Sequence, residues 1–504
     1  MNDALRAMSA RQRALTLLSW ALMIFSPFLL LLIISLVLGH NVFDSYPVWS
    51  DEIDYWRSLF SWQSVGFQKG YSGMFEVIPA AGSLGVHGIT PILLYGWFVK
   101  LFGLGYSSIM TCNALWVSMA ALVFCALNRP RPTVALFFTA LLMTYAPVIL
   151  YCVTSMTELF NYALLLFYLA FLLRYHDGRS PWMLMLCCVT VVLGCVYRIT
   201  YFLLFIPVAL VFSRFRFGWR MALSLLLSAV LSILCYALTS RTTAPYIQGF
   251  LYHLVRAEDL NTFVRMLLSH TKSNLCDYFT LYYAHNPIEV SFRILYCGVA
   301  LLCLLCSFLR LERDQKRPRL RVRFSWDLLA CFLLLATALG IITVLYETND
   351  WSDFRTLSPF LWLVLGYLLM RGRPVIPSIA LLGSLATLVL LFSIPPVGAY
   401  NDTIRFEREA DNPSVTQAAA LIPYDPEAAD PFVNTVRTDL PSLQVSEELH
   451  PGLGLQYGFF TTDTTGKSNW ILTDQLKCVV NGYEPVLSLP GMKLYRLTQP
   501  TEVP

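Results

Sequence analysis

Apolar runs long enough to cross a bilayer recur through residues 15–396 of this 504-residue chain, and they constrain its fold more than any other feature. A stretch of about 18 or more apolar residues with few charges reads as a membrane helix. Eleven are predicted, at roughly 15–39, 107–127, 133–153, 158–173, 182–196, 199–213, 219–239, 292–309, 326–346, 356–370 and 375–396. The stretch 182–213 is too long for one crossing and contains Tyr197-Arg198-Ile199-Thr200, so it divides into two short helices. The first span has no small-residue cleavage site and reads as a retained signal anchor. The expected fold class is therefore an α-helical polytopic membrane protein with about 11 transmembrane helices. Composition agrees: 56% of residues are hydrophobic and 13% charged, against about 25% charged in soluble domains. That excludes a soluble enzyme, a disordered chain and a nucleic-acid-binding domain.

Because charges are scarce, their placement can be read. Every second loop is basic: Arg6, Arg11 and Arg13; Arg129 and Arg131; Arg174 and Arg179; Arg214, Arg216 and Arg220; the block Arg310 to Arg323; Arg371 and Arg373. These segments hold 19 of the 36 basic residues, whereas 27 of the 32 acidic residues fall in the alternate loops and the tail. The positive-inside rule then puts the N-terminus in the cytoplasm and the C-terminus outside, as in a multi-pass protein of the plasma (inner) membrane. The alternation holds only if the apolar segment 89–103 does not cross, so it is expected as an interfacial helix on the outer face.

Residues 1–397 form the expected membrane module, with a long aromatic first outer loop at 40–106, carrying interfacial helices, and a second large outer loop at 240–291. Residues 398–504 have soluble composition and predict a small extracytoplasmic α/β cap, with a helix at 412–421 and strands at 432–437, 469–473 and 485–496. Eleven of the 13 cysteines sit in or beside apolar runs, where Cys behaves as a small hydrophobe. Cys276 and Cys478 fall in outer regions, where an oxidising compartment would allow them to pair. Apart from Cys303 and Cys306, inside an apolar run, no zinc-ligand spacing occurs.

The segment Ser50-Asp51-Glu52-Ile53-Asp54-Tyr55-Trp56 follows the first span. Helical spacing puts Asp51 and Asp54 on one face. Neighbouring carboxylates beside a low-dielectric region repel, which raises a pKa and prepares a general base. Composition alone favours the plainer reading, a solvated acidic loop with an interfacial Tyr/Trp belt; position after the first span favours the chemical one. The loop continues through Gly66, Gly70 and Gly73 to His87-Gly88-Ile89-Thr90-Pro91. His87 could bind phosphate, polarise a donor or bind a metal; a lone His is more often a satisfied structural residue. Glu158, Arg198 and Arg355 stand at the outer ends of helices, where ionisable groups are costly. Arginine offers phosphate oxygens a fork of donors; membrane-interface snorkelling is the plain alternative for Arg355.

These residues resemble the GT-C superfamily of integral membrane glycosyltransferases, especially the bacterial relatives of protein O-mannosyltransferases and aminoarabinose transferases. In that family an acidic pair follows the first span, here Asp51-Glu52. A His-Pro-Pro-like element comes next; here His87 is kept, Gly88 replaces the first proline and Pro91 is displaced. An acidic residue opening the fourth span matches Glu158. Arg198-Ile199-Thr200 matches an Arg-Pro-Thr-like break without the proline, and Arg355 with Pro359 matches an arginine before a proline-containing helix. The match spans about residues 10–370.

The resemblance implies an inverting glycosyltransferase that moves a sugar, hexosyl or pentosyl, from a polyprenyl-phosphate donor to an acceptor hydroxyl on a glycan, lipid or protein at the outer face. Asp51 and Glu52 would be catalytic. Asp54, Tyr55, His87 and Glu158 would orient acceptor and donor, and Arg198 and Arg355 would bind the lipid phosphate. The resemblance calls for no particular cofactor, and a divalent metal near Asp51 and Glu158 stays an option. A surface-polysaccharide polymerase or ligase, a lipid-linked-sugar transporter or flippase, and a noncatalytic scaffold are the alternatives. No Gly-rich phosphate loop of the nucleotide-binding kinds occurs. The tail would recognise acceptor or serve only as a packed cap.

Overall fold

Capping chemistry sets the first helix. Ser9 Oγ accepts the Gln12 N–H and Gln12 Oε1 accepts the Ser9 N–H, a reciprocal capping box. In the computed structural model this opens α1 (Ala10–Leu38), which ends at Gly39 with a left-handed φ of 70°. The structure describes residues 9–67, 70–74, 84–85, 87–178, 180–213, 219–243, 254, 256–279, 287–313, 318–322, 325–345, 354–371, 378–380, 382–386, 404–427, 432–436, 441–458, 468–474 and 482–498.

The first loop carries α2 (Ser50–Val65), the strand β1 (Ser72–Met74) and α3 (Thr90–Phe102). Then come α4 (Ser108–Asn128), α5 (Pro132–Thr144), α6 (Ala146–Cys152), α7 (Glu158–Gly178) and α8 (Pro181–Tyr197). A 3-10 turn over Ile199–Leu204 leads to α9 (Phe205–Ser213) and α10 (Trp219–Ser240). The second large loop carries α11 (Leu260–Phe279), followed by α12 (Pro287–Phe308), the antiparallel pair β2 (Leu309–Arg313) and β3 (Pro318–Val322), α13 (Trp326–Leu345) and α14 (Phe354–Arg371).

Among the described residues, four helices are long and apolar enough to cross a membrane: α1, α4, α7 and α13. The bent pair α5 and α6 makes a fifth, and several other apolar helices are shorter. The predicted count of eleven goes beyond this, and most of the run 375–396 lies outside the described residues. The run 133–153 is not one straight span, since α5 and α6 meet at 62° around Tyr145. Pro147 is the reason: it lacks the N–H for the turn before it, and its ring crowds the carbonyl four residues back. The run 182–213 breaks at Arg198 as predicted. α7 is the central helix, with 72% of its most apolar window buried, against 33% for α1.

At one end of the bundle Arg371 of α14 donates to Asp177 and His176 of α7, and His176 reaches Asp327 of α13 at 3.4 Å. Two of the five acidic residues on the predicted basic side are thus paired.

Beyond residue 404 the chain adds α15 (Pro413–Ala419), β4 (Phe432–Val436), α16 (Ser442–Glu448), β5 (Gly454–Gly458), β6 (Trp470–Thr473), β7 (Tyr483–Leu489) and β8 (Met492–Leu497). They form a six-stranded sheet ordered β1-β5-β4-β6-β8-β7. β1, β5, β4 and β6 run parallel, and β6, β8 and β7 antiparallel. The stretch predicted as one strand at 485–496 is a hairpin turned at Gly491, whose φ is 81°. Two contributors come from the first loop: β1 forms a sheet edge, and Ile53 of α2 packs in the core with Val415, Val445, Leu449, Leu455 and Leu494. Before β1 the backbone passes so close to Pro451 that a Cβ on Gly70 would lie 2.1 Å from its carbonyl oxygen. The pairing expected of Cys276 and Cys478 rests on Cys478, which lies outside the described residues.

Arg57 fastens the two regions. It is fully buried and donates to the carbonyls of Ser446, Leu449, His450 and Leu453 at 2.7 to 2.9 Å. These lie in the last turn of α16 and the loop beyond it, where orphan carbonyls and the helix dipole favour a cation. Arg57→Ala strands these buried acceptors, a cost on the order of 3 kcal/mol. The expected result is a lower thermal unfolding midpoint for the full chain and faster hydrogen exchange in α16 and β5. Unchanged exchange there would show the clamp to be dispensable.

Candidate active site at the helix ends

Four helix ends meet at the end of the bundle opposite Arg371. α2 starts at Ser50 and α7 at Glu158, α8 stops where Arg198 turns extended (φ −145°, ψ 123°), and α14 starts at Phe354. Helix ends leave backbone groups unpaired and allow charged side chains to enter an apolar bundle.

The charges form an alternating chain. Glu158 Oε1 accepts from Arg198 Nη2 at 3.2 Å and lies 3.5 Å from Arg355 Nη1. The same Arg355 nitrogen lies 3.6 Å from Asp51 Oδ2, and Asp51 Oδ1 lies 3.6 Å from His87 Nε2. His87 Nδ1 meets the Tyr55 hydroxyl at 3.5 Å, with the two rings 4.6 Å apart. Side-chain exposure is 3% for Glu158 but 19% to 30% for Arg355, Arg198, Asp51 and His87, so those four can be reached from outside. The structure therefore brings together Asp51, Tyr55, His87, Glu158, Arg198 and Arg355. Asp54 is buried one turn along and adds its field at His87.

Glu52 faces elsewhere. Its Oε2 accepts the N–H groups of Val48 and Trp49 at the start of its own helix, at 2.7 and 2.9 Å. Its Oε1 accepts the Ser155 N–H at 2.5 Å. Glu52 thus caps α2 and ties it to the turn that precedes Glu158.

Groups that sequence reasoning passed over also line the cluster. Thr157 and Tyr197 share a hydroxyl hydrogen bond, and the Arg198 guanidinium lies 5.4 Å from the Tyr197 ring centre. Their signal is position alone: each directly precedes a charged residue at a helix break. Two buried polar atoms beside them, Glu158 Oε2 and Asn161 Nδ2, have no hydrogen-bond partner among the described residues. Such atoms mark places where a ligand's polar groups can complete the pairing.

Burial favours the neutral form of Asp51, but the His87 hydrogen bond and charge, with Arg355 and Arg198, outweigh it and hold the carboxyl at about 2. His87 moves the other way: burial disfavours its charge, yet Asp51 and Asp54 raise its pKa. Burial dominates at Glu52 and pushes it up to about 7, against the pull of its three backbone donors. A cation between Asp51 and Glu158 is already present in the form of Arg355, whose guanidinium occupies the gap a metal would need. Among the described residues no group of three or more His, Cys, Asp or Glu is placed to hold a metal ion. These residues do not fit a divalent metal.

No protein-family model matches the chain, and no curated protein matches it in sequence. Solved structures do. The crystal structure of ArnT from Cupriavidus metallidurans bound to undecaprenyl phosphate matches with a TM-score of 0.51 and 13% identity, over 93% of this chain and 97% of that one. The chain has the fold of ArnT. The apo state of ArnT matches over the same shares at a TM-score of 0.46 and 12% identity. ArnT is an aminoarabinose transferase of the GT-C type, so the resemblance drawn from the sequence holds at the level of the fold.

The shift of Glu52 has a sign that can be tested. Between its ordinary 4.5 and about 7 the folded chain keeps a proton that the unfolded chain has lost. Its contribution to stability therefore falls as pH rises through that window. Asp51 acts oppositely, losing stability only as pH falls below its ordinary 3.8 toward about 2. The thermal unfolding midpoint should decline between about pH 4.5 and 7, and Glu52→Gln should flatten the decline while lowering the midpoint overall. A slope untouched by the substitution would remove Glu52 as its source.

Proposed function

We propose that the chain is an inverting glycosyltransferase that moves a sugar from a polyprenyl-phosphate donor to an acceptor hydroxyl at the outer face of the inner membrane. The supporting observation is the alternating cluster, in which two reachable arginines flank the buried Glu158 and one of them, Arg355, also meets the reachable Asp51. The ArnT-like fold, found in a protein crystallised with undecaprenyl phosphate, supports the same class of donor. Residues 1–397 are the membrane module and 398–504 an extracytoplasmic cap, with the N-terminus cytoplasmic; the alternation of basic and acidic loops supports this orientation.

In this mechanism Arg198 and Arg355 hold the donor phosphodiester. The acceptor oxygen attacks the anomeric carbon from the face opposite the phosphate. The carbon–oxygen bond to phosphate breaks and its electron pair leaves with the phosphate, whose growing charge the two arginines stabilise. Asp51 takes the acceptor proton. One displacement inverts the anomeric centre. The phosphate competes with Asp51 for Arg355, so donor binding raises the basicity of a carboxylate otherwise held at about 2. His87, backed by Tyr55 and Asp54, fixes the other Asp51 oxygen. Glu158 orients the donor by holding both arginines, and Glu52 positions Asp51 by fixing the start of α2.

Asp51→Asn should lower sugar transfer by about 10²- to 10⁴-fold while the chain still inserts and binds polyprenyl phosphate. Arg198→Ala and Arg355→Ala should raise the donor KM and also lower kcat, since they bind the phosphate and stabilise its growing charge. The assay is transfer from a panel of polyprenyl-phosphate sugars, with products identified by mass spectrometry. Full transfer by Asp51→Asn would overturn the base assignment, and lipid movement without any transferred sugar would favour a transporter.

A further inference from the structure

α11 exposes leucines although it is too polar to span a membrane. It carries Arg265, His270 and Lys272, and it is absent from the helices apolar enough to cross. Yet Leu260, Leu268, Val264 and Leu275 are 78%, 64%, 42% and 40% exposed. Projected at ~100° per residue, these four fall within one sector about 80° wide. The exposed Arg265 and Lys272 fall together along one edge of that sector, with the exposed Ser269 beyond them. The half-buried Phe263, Leu267 and His270 and the buried Asn274 lie along its other edge. That edge is the packing face, since Asn274 Nδ2 donates to the Thr343 carbonyl near the end of α13.

Around the helix, the order is protein, apolar surface, cations, then hydroxyls. This is the profile of a helix lying in a lipid–water interface. Its level is fixed as well. Thr343 lies two residues before the end of α13, and α14 begins the return with Arg355 in its first turn, so α11 sits at the level of the charged cluster. Its neighbour α12 exposes Ile294, Leu301, Leu302 and Leu305, so the apolar stripe continues onto a lipid-facing surface.

We infer that α11 is a membrane-surface anchor: Leu260, Val264, Leu268 and Leu275 enter the headgroup boundary on the side of the candidate site, and Arg265 and Lys272 bind the phosphates of anionic phospholipid headgroups. Neither cation has a carboxylate partner among the described residues, so both are available to a lipid phosphate. The inference requires a bilayer but not sugar transfer, and it stands if the proposed reaction fails.

The test uses the full chain in nanodiscs of phosphatidylglycerol and phosphatidylethanolamine. A photo-crosslinking benzoylphenylalanine replaces Leu268, Ser269 or, as a lipid-facing control, Leu227 of α10, which is 59% exposed. Peptide mass spectrometry should find phospholipid adducts at positions 268 and 227 and not at 269. Labelling at 227 without labelling at 268, or crosslinking of 268 to a second copy of the chain, would overturn the anchor. The double substitution Arg265→Glu, Lys272→Glu should at least halve the phosphatidylglycerol retained in native mass spectra. Unchanged retention would overturn the headgroup contact.

Discussion

Everything at the candidate site depends on neutralising Glu158. A carboxylate 3% exposed between helices is costly to bury unless paired, and it meets two guanidinium groups. One arrives because α8 ends at Tyr197, the other because α14 begins at Phe354. Had either helix continued straight through, its arginine would have been carried away along the helix. The breaks are therefore requirements of the charge chain, and the second arginine extends it to Asp51 and His87. Removing the buried acid would leave two cations facing one another, so the geometry is set by the group least accessible to a ligand.

A second constraint acts through α2. Its first turn carries Asp51, yet this helix also contributes Ile53 to the core of the C-terminal sheet and Arg57 to the carbonyls after α16. Glu52 ties its start to Ser155, and Ser155 in turn donates to the Tyr106 carbonyl. The Tyr106 hydroxyl bonds Glu447 of α16, itself paired with Arg408. Asp51 is thus held by elements on three sides, and the C-terminal sheet bears on the candidate site through α2 and Tyr106.

Legibility in the sequence followed charge and periodicity. Scarce charges in apolar surroundings singled out Asp51, Glu158, Arg198 and Arg355 before any geometry was known. The break at Arg198 was visible because 182–213 is too long for one crossing. The bend at Tyr145 was legible in principle from Pro147, but an unbroken apolar run concealed it. Glu52 looked equivalent to Asp51 because adjacent carboxylates share a composition; its third position in a helix distinguishes it, and that requires knowing where α2 starts. Arg57 gave no signal, since its acceptors are backbone carbonyls almost four hundred residues away and a carbonyl has no sequence signature. β1 was hidden for a related reason: three residues centred on Gly73 become a strand only when β5 supplies the pairing.

The strength of Asp51 as a base follows from the same electrostatics. A carboxylate held at about 2 binds a proton weakly, so a site fixed permanently in this arrangement would make a poor general base. His87 holds it down most, and the arginines that add to this are also the groups best placed to receive a phosphodiester. A dianionic phosphate product attracts them more strongly still. On the proposed mechanism, proton affinity at Asp51 therefore rises as Arg355 turns toward the donor and the leaving group gains charge. An unliganded carboxylate with low proton affinity is then consistent with the role, because the substrate supplies the anion that releases it. Glu158 keeps the second arginine in place throughout, and its burial, costly by itself, prevents the pair from following the phosphate out of the site.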